Sequence, residues 1–409
     1  MRVIVVGGGI GGLAAALHLH AAGIDVVLCE QGEDFTEVGV GINLLPHGVE
    51  RLAALGLLDP LDRIAVRTEE LFYAHRLGHT IARRECGVAA GFAFPQLSVH
   101  RGRLQGALVA AARERLAPAA LRVGHRVNTL EQDDDGVTVQ LLDRAGNDLD
   151  PVRGDVLVAA DGIHSAVRAG LVPDEGPPRW NGVMLWRGAT DWPVFRTGRS
   201  MLVQGGTDAK LVVYPVAPGE SPQTRLTNWA VCLRTGPDGS PPPERQDWSR
   251  PADRDELRGH LDRFHVPDLD HHALVEATAE AFEFPMCDRD PLPRWSHERV
   301  TLLGDAAHPM YPMGSNGAGQ AVLDAASLVD HLTSHDDPVR ALRAYEEERL
   351  PLTGEIVRRN RTGGPEGVID EVERRAPDGF DDLEDVMSTA ELEDVLSGYG
   401  KLTQGAPAR

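Results

Sequence analysis

Three short stretches place glycines and acids where phosphates and sugars could be held. Near the N-terminus, Gly7, Gly9 and Gly12 follow the spacing GxGxxG. Gly7 permits a tight turn, Gly9 lets backbone approach a pyrophosphate, and Gly12 lets the following helix pack close to its strand. Glu30 comes 23 residues after Gly7 (30 − 7), where an acid can accept hydrogen bonds from a ribose. The second stretch, GDVLVAADGIHSAVR (154–168), delivers Asp161 and Gly162 to a turn and follows them with Ser165 and Arg168. The third, VTLLGDAAHPMYPMGSNGAGQAVLDA (300–325), ends an apolar run at Gly304 and Asp305 and then crowds prolines, Tyr311 and glycines into the entrance of a helix. Asp305 is poised there to accept from a sugar hydroxyl. The first motif by itself leaves NAD and FAD both open as the dinucleotide.

Hydropathy patterning supplies the elements that must position these residues. A β-branched run Arg2–Val6, a glycine turn at 7–12, a helix Leu13–Ala22 and a second β-branched run Asp25–Cys29 read as one βαβ unit. EVGVGINLLPHGVERLAALGLLD (37–59) reads as a GxG loop and an amphipathic helix, and FPQLSVHRGRLQGALVAAARERL (94–116) puts Arg101, Leu104 and Leu108 on one face of a helix start. Residues 121–158 read as an antiparallel meander with turns at DDDG (133–136) and AGN (145–147). Between 180 and 234, VMLWRGATDW, SMLVQGG, KLVVYPV and NWAVCLR are four strands of a sheet-rich second domain. Residues 235–247 form an exposed connector, helices are expected over Arg254–Phe264 and Ala273–Phe282, and the last roughly 90 residues are helical and acidic, broken at RTGGPEG and RAPDGF. No repeat of solenoid period is present.

Composition narrows the class. The 409 residues suffice for roughly two or three domains. A formal net charge of −21 argues against a nucleic-acid surface and against docking on anionic membranes. Cys29, Cys86, Cys232 and Cys287 are scattered without CxxC or ligand spacing, which excludes a disulfide framework and a redox-active pair. His260, His265, His271 and His272 read as a solvated face rather than a metal site, so no metal is expected. The chain is expected to be cytoplasmic, with no spanning helix and no basic leader.

Taken in the order GxGxxG, Asp-Gly, Gly-Asp, with Arg101 between the first two, the motifs resemble the FAD-dependent aromatic hydroxylases of the p-hydroxybenzoate hydroxylase type, the class A flavoprotein monooxygenases. The resemblance runs from Arg2 to about Tyr399. SVHRGRLQGAL, MLWRG, GDAAHPMYPMGSNGAGQAVLDA and NRTGGPEGVIDEVERRAPDGF are similar to the salicylate hydroxylase and phenazine hydroxylase branch. It implies an α/β fold: a Rossmann-like FAD-binding domain (1–175 and 285–345), an inserted, mostly antiparallel β-sheet substrate domain (176–284) and a C-terminal helical region (346–409). It implies FAD as resident cofactor, with NADH or NADPH and O2 as co-substrates, and hydroxylation of an aromatic or heteroaromatic small molecule through a flavin C4a-hydroperoxide. Gly7, Gly9, Gly12, Glu30, Gln31, Gly41, Arg101, Val127, Asp161 and Asp305 would contact or support FAD. Gly314, Ser315, Asn316, Gly317 and Ala318 would lie against its ring. Many relatives read GxGxN after the proline, and the chain departs from that with Gly314-Ser315-Asn316-Gly317.

The chemistry then assigns tasks to side chains. The helix entrance from Gly317 suits negative charge at the flavin pyrimidine edge. Met184, Trp186, Val203, Tyr214, Met310, Tyr311 and Pro312 are expected to wall the substrate. His47, Arg187 and Tyr311 are the candidates for catalysis as a base or cationic partner, while His308 reads as a residue that holds its loop. Epoxidation or Baeyer–Villiger oxidation on the same scaffold, and a non-catalytic flavin-binding protein, are the alternative readings. A monomer or homodimer is expected.

Overall fold

The computed structural model describes residues 1–35, 39–247 and 249–404. Glu37 and Val38 of the 37–59 stretch, and 405–409 of the C-terminal region, lie outside the described residues. The βαβ unit is strand β1 (Arg2–Val6), helix α1 (Ile10–Ala21) and strand β2 (Asp25–Cys29), the helix starting one turn earlier than its hydropathy suggests because Gly9 caps it. There follow β3 (Gly41–Leu44), α2 (Pro46–Ala54), α3 (Leu58–Asp62), β4 (Ala65–Thr68), the hairpin β5 (Glu70–Ala74) and β6 (Thr80–Glu85), and β7 (Gln96–His100), which runs straight into α4 (Arg101–Arg115). Short β8 (Leu121–Arg122) precedes the meander β9 (Arg126–Gln132), β10 (Val137–Leu142) and β11 (Asp148–Gly154). β12 (Val156–Ala159) leaves the meander to pair in parallel with β1, and α5 (Ala166–Leu171) follows. The second half holds β13 (Arg179–Pro193), β14 (Ser200–Gln204), β15 (Ala209–Pro218), β16 (Thr224–Arg234), α6 (Arg254–Leu261), α7 (His271–Glu276), β17 (Ala281–Asp288), β18 (Val300–Leu302), α8 (Gly317–Ser334), α9 (Pro338–Arg361), α10 (Gly367–Arg375) and α11 (Thr389–Gln404).

Two sheets carry the architecture. A five-stranded parallel sheet, ordered β18-β12-β1-β2-β8, packs against α1, α4 and α8 through a core that includes Val3–Val6, Leu13, Leu104, Leu108, Leu157 and Val322. Its strands are apolar on both faces, as a covered parallel sheet requires. A seven-stranded sheet, ordered β17-β13-β16-β15-β14-β5-β6, forms the second layer. As a hydrogen-bonded unit it reaches beyond 176–284 on both sides, taking β5 and β6 from the first hundred residues and β17 as far as Asp288. One helix expectation needs correction: the segment Ala273–Phe282 is helical only to Glu276, and Ala281 already pairs with Gly188 of β13, so the demand of the sheet edge overrides local periodicity. One face of this sheet packs on α6 and α7 through Trp186, Trp229, Leu257 and Leu274. The other face turns toward the parallel sheet, and at its β14–β5–β6 end α10 and α11 cover it through Val368, Ile369 and Leu396.

Candidate active site

The glycine turn shows which glycines serve the protein and which leave room. A Cβ on Gly7, whose φ is +102°, would lie 2.4 Å from the Ala160 carbonyl oxygen, and one on Gly12 would lie 1.9 Å from the Gly7 carbonyl oxygen. Both are forced by backbone packing. A Cβ on Gly9 would meet nothing within 4 Å, nor would one on Gly162 or Gly317. All three line one cleft of about 320 Å³. Helices α1 and α8 both begin there, so backbone N–H groups without intrahelical partners point into the same space. Beside the turn, the Glu30 carboxylate accepts from the backbone of Gly8 (2.6 Å) and Gly32 (2.7 Å). Those bonds occupy two of about four lone-pair sites and leave the rest for a ribose. Gln31 is exposed next to Glu30, and Val127 is buried in the main core on β9; neither lines the cleft.

Gly41, Arg101, Asp305, Ser315, Asn316, Gly317 and Ala318 do line it. Asp305 is exposed to the cleft but surrounded by protein, which raises its carboxyl pKa against the opposing pull of His308 and Arg101. Burial lowers Arg101, with Asp305 opposing. Asp161 does not reach the cleft; its carboxylate caps α5 through the Ala166 N–H at 2.9 Å, while its neighbours Ala160 and Gly162 form the wall. Gly314 also stands outside. Its φ is +65°, and a Cβ there would lie 2.6 Å from the Tyr399 ring, so α11 rather than a ligand demands the glycine. Ser315 shares the left-handed conformation at φ +58°, strain held in place by the surrounding packing. Open cradles at Gly9, Gly162 and Gly317, two converging helix N-termini and the Arg101–Asp305 pair fit an FAD laid along the cleft.

The far side of the cleft is a sheet floor built by strict alternation. Leu185 pairs with Cys232 and Cys232 with Lys210 across β13, β16 and β15; in the next row Arg187, Ala230 and Val212 are neighbours; Tyr214 stands beyond. All seven face the cleft. Met184 and Trp186, expected as substrate walls, are corrected: the period of two sends them to the opposite face, where the Trp186 indole donates to Glu283 at 3.0 Å. Trp186 and Arg187 are adjacent on one strand and cannot share a face, a constraint that the sequence already contained. Val203 lies on the cleft side but under α10 and α11, away from the cavity. Met310 and Pro312 roof the cleft with Pro309 and Met313, and Phe284 and Met286 close its side.

The three expected catalytic residues separate. Arg187 is in the cleft, with one guanidinium nitrogen donating to the Gly41 carbonyl; burial lowers its pKa and Tyr214 opposes this. Tyr311 is not: its ring packs with Val183, Leu185 and Phe284, its backbone carbonyl accepts from Asn360 at 2.8 Å, and burial, reinforced by the Asp288 carboxylate, raises its hydroxyl pKa. His47 sits between α2 and α8, both ring nitrogens buried without partners and its pKa pulled down to about 4 by burial. It too is outside the cavity. His308 holds its loop. Its ring meets the Asp324 carboxylate at 2.5 Å, and Asp324 also accepts from Gly304 N–H (3.0 Å) and Arg349 (2.8 Å). Sequence reasoning missed Lys210 and Glu366, which pair inside the cleft, and Gln246, a buried wall residue in the otherwise exposed connector.

A parallel sheet with a glycine-turn nucleotide cradle, facing a second sheet across one continuous cleft, defines a flavoprotein of the hydroxylase type. The chain belongs to the FAD binding domain family, whose model matches residues 1–360. It is 41% identical to phenazine 1,6-dicarboxylic acid hydroxylase PhzS of Lysobacter antibioticus, over 88% of this chain and 89% of that one. It is 35% identical to 3-amino-4-hydroxybenzoate 2-monooxygenase PtnB3 of Streptomyces platensis, over 89% and 88%. Among solved structures, a variant of Klebsiella pneumoniae HpxO complexed with FAD superposes with a TM-score of 0.77 at 25% identity, covering 100% of this chain and 99% of that one. The protein is an FAD-dependent class A aromatic monooxygenase acting on a small aromatic molecule with NAD(P)H and O2. Among the described residues, no helix is long and apolar enough to cross a membrane and no group of His, Cys, Asp and Glu could hold a metal.

Proposed function

We propose that this enzyme hydroxylates a planar aromatic or heteroaromatic ring lying on the β13–β16–β15 floor, beneath the roof Pro309–Met313. One observation carries the reading: a single cavity runs without interruption from the open glycines of the cradle to this floor. Bound FAD supplies the electron transfer from NADH or NADPH and the activation of O2. The chain supplies the rest. Gly317 and Ala318 at the start of α8 direct N–H groups at negative charge on the ring edge. Leu185, Val212, Phe284, Met286 and Met310 exclude water from the reacting face. Tyr214, whose hydroxyl burial pushes up to about 12 against the pull of Arg187, stays protonated and donates to a ring oxygen. Arg187 supplies positive charge, whereas the placement of His47 and Tyr311 supports structural roles. Four buried, unpaired cysteines support a cytoplasmic location, and the acidic net charge supports a small-molecule rather than nucleic-acid partner, in a monomer or homodimer.

Purified yellow protein should oxidise NADH or NADPH faster when phenazine carboxylates or aminohydroxybenzoates are added, with a product heavier by one oxygen whose NMR spectrum shows a new phenol. Oxidation that no ring accelerates, or consumption ending only in peroxide, would sink the reading.

A further inference from the structure

Sulfur is concentrated in the cleft, and the hydroxylase reading gives it no task. Of the four cysteines and seven methionines in the chain, Cys232, Cys287, Met201, Met286, Met310 and Met313 line this one cavity. A monooxygenase that consumes NAD(P)H with no ring to hydroxylate releases hydrogen peroxide, so these sulfurs stand where an oxidant leaves. Their surroundings decide which of them reacts.

A cysteine reacts with peroxide as its thiolate, and burial pushes the Cys232 and Cys287 thiols up to about 12, so both stay protonated and inert near neutral pH. A thioether needs no deprotonation and reacts through a sulfur lone pair. Three of the four methionines turn that lone pair toward a donor: Asn43 meets the Met201 sulfur at 3.6 Å, Asn181 meets Met286 at 3.3 Å and Lys210 meets Met313 at 3.9 Å. The same three are sealed, at 6%, 3% and 4% exposure, and a sulfoxide oxygen formed there would enter a close-packed apolar cluster without a hydrogen-bond partner. Met310 differs on both counts. It is only partly buried, it packs in neither of those clusters, and among the described residues no donor meets its sulfur. Water can reach a sulfoxide oxygen at that position.

Resting on the hydroxylase reading for its supply of peroxide, we propose that Met310 is the oxidisable sulfur of this cleft, converted to its sulfoxide by hydrogen peroxide released when turnover runs without a substrate ring. In that step a lone pair on sulfur attacks one peroxide oxygen, and an S–O bond forms as the O–O bond breaks. The hydroxyl proton passes to the departing hydroxide, which leaves as water. Sulfur loses two electrons and the peroxide gains them. The product places a polar group in the roof Pro309–Met313, so the oxidised enzyme holds an aromatic ring less well until a methionine sulfoxide reductase restores the thioether. Idle turnover thereby limits itself, reversibly.

The test treats FAD-loaded enzyme in the dark, without any ring, in two ways: with dilute hydrogen peroxide alone, or by repeated reduction with NADH or NADPH under nitrogen followed by air in the presence of catalase. Sulfoxide is then quantified at each methionine by peptide mass spectrometry. With peroxide alone, Met310 should oxidise at least about 10-fold faster than Met201, Met286 and Met313. In the reduction cycles catalase should protect Met1, which is 49% exposed and reports peroxide in the buffer, but not Met310, which peroxide meets on its way out. The ring that most accelerates NAD(P)H oxidation should bind peroxide-treated wild type roughly 3- to 30-fold more weakly and recover after treatment with the reductase. Met310→Leu, whatever its starting affinity, should lose none. Sulfoxide spread evenly over the four cleft methionines overturns the proposal, as does protection of Met310 by catalase as complete as that of Met1, or full affinity in enzyme whose Met310 is wholly oxidised. The arm with added peroxide needs no turnover, so an enzyme that NAD(P)H does not reduce refutes the hydroxylase reading while the order of oxidation still decides Met310.

Discussion

A methyl group on Gly12 would lie 1.9 Å from a backbone oxygen, while one on Gly317 would touch nothing within 4 Å. The two glycines therefore separate fold from ligand. Gly12→Ala should destabilise the protein by more than about 3 kcal/mol or leave it insoluble, because backbone cannot move aside as a side chain can. Gly317→Val should fold with unchanged thermal unfolding of the apo protein but bind FAD about 10- to 100-fold more weakly, measured as retained absorbance at 450 nm after dilution. Unimpaired FAD retention in Gly317→Val would place the flavin elsewhere. At this scale the sequence was readable where chemistry is local. The GxGxxG turn announces itself by spacing, and Arg101 and Asp305 stand out through the order of motifs that carries the family resemblance. Lys210 does not, because its partner is 156 residues away and nothing near it in the chain marks it as buried. Met184 and Trp186 were misplaced by their apolar character, although parity with Arg187 sufficed to exclude them.

Between elements, the helix entrance at Gly317 is held from behind by α11. The Tyr399 hydroxyl accepts from Asn316 at 2.8 Å and donates to Asn360 at 2.6 Å, and its ring fills the space that Gly314 leaves open. Tyr399→Phe removes one hydrogen bond from each of two buried amides, leaving the Asn360 amide oxygen without its donor, and should cost about 1–3 kcal/mol in urea unfolding. It should also raise the fraction of NAD(P)H consumption that ends in peroxide. Unchanged stability and coupling together would show that α11 does not support the loop. Helix breaks at 362 and 376 were legible from Gly and Pro, and so were the four strands between 180 and 234. The strand at Ala281 was not, since its identity depends on pairing with β13, a contact no local window contains.

For the molecule as a whole, His18 and His47 set a pH response. Burial lowers both from an ordinary 6.5 to about 4. At these two rings the unfolded chain thus binds more protons than the folded one between these values, so their contribution to stability is complete above pH 6.5 and declines as pH falls toward 4. Denaturant midpoints measured across that window should fall, and a His18→Gln/His47→Gln double variant should flatten the slope; an equal slope in both proteins would show that the two rings are solvated. The layered α/β class was legible from the alternation of apolar runs with glycine turns, whereas the seven-stranded sheet was not, because it draws strands from both halves of the chain.

That shared sheet shapes how the molecule is made. β5 pairs in parallel with β14, Glu70 opposite Ser200, across 130 residues of chain. During synthesis the β5–β6 hairpin must wait with one edge unpaired until the second half emerges, and such long-range parallel pairing forms slowly. A fragment ending at residue 199 should therefore aggregate or bind chaperones, and should become soluble when residues 200–404 are co-expressed with it; a soluble, monomeric fragment would contradict this. The enzyme's two layers cannot mature one after the other, and its assembly has to be completed from the C-terminal side.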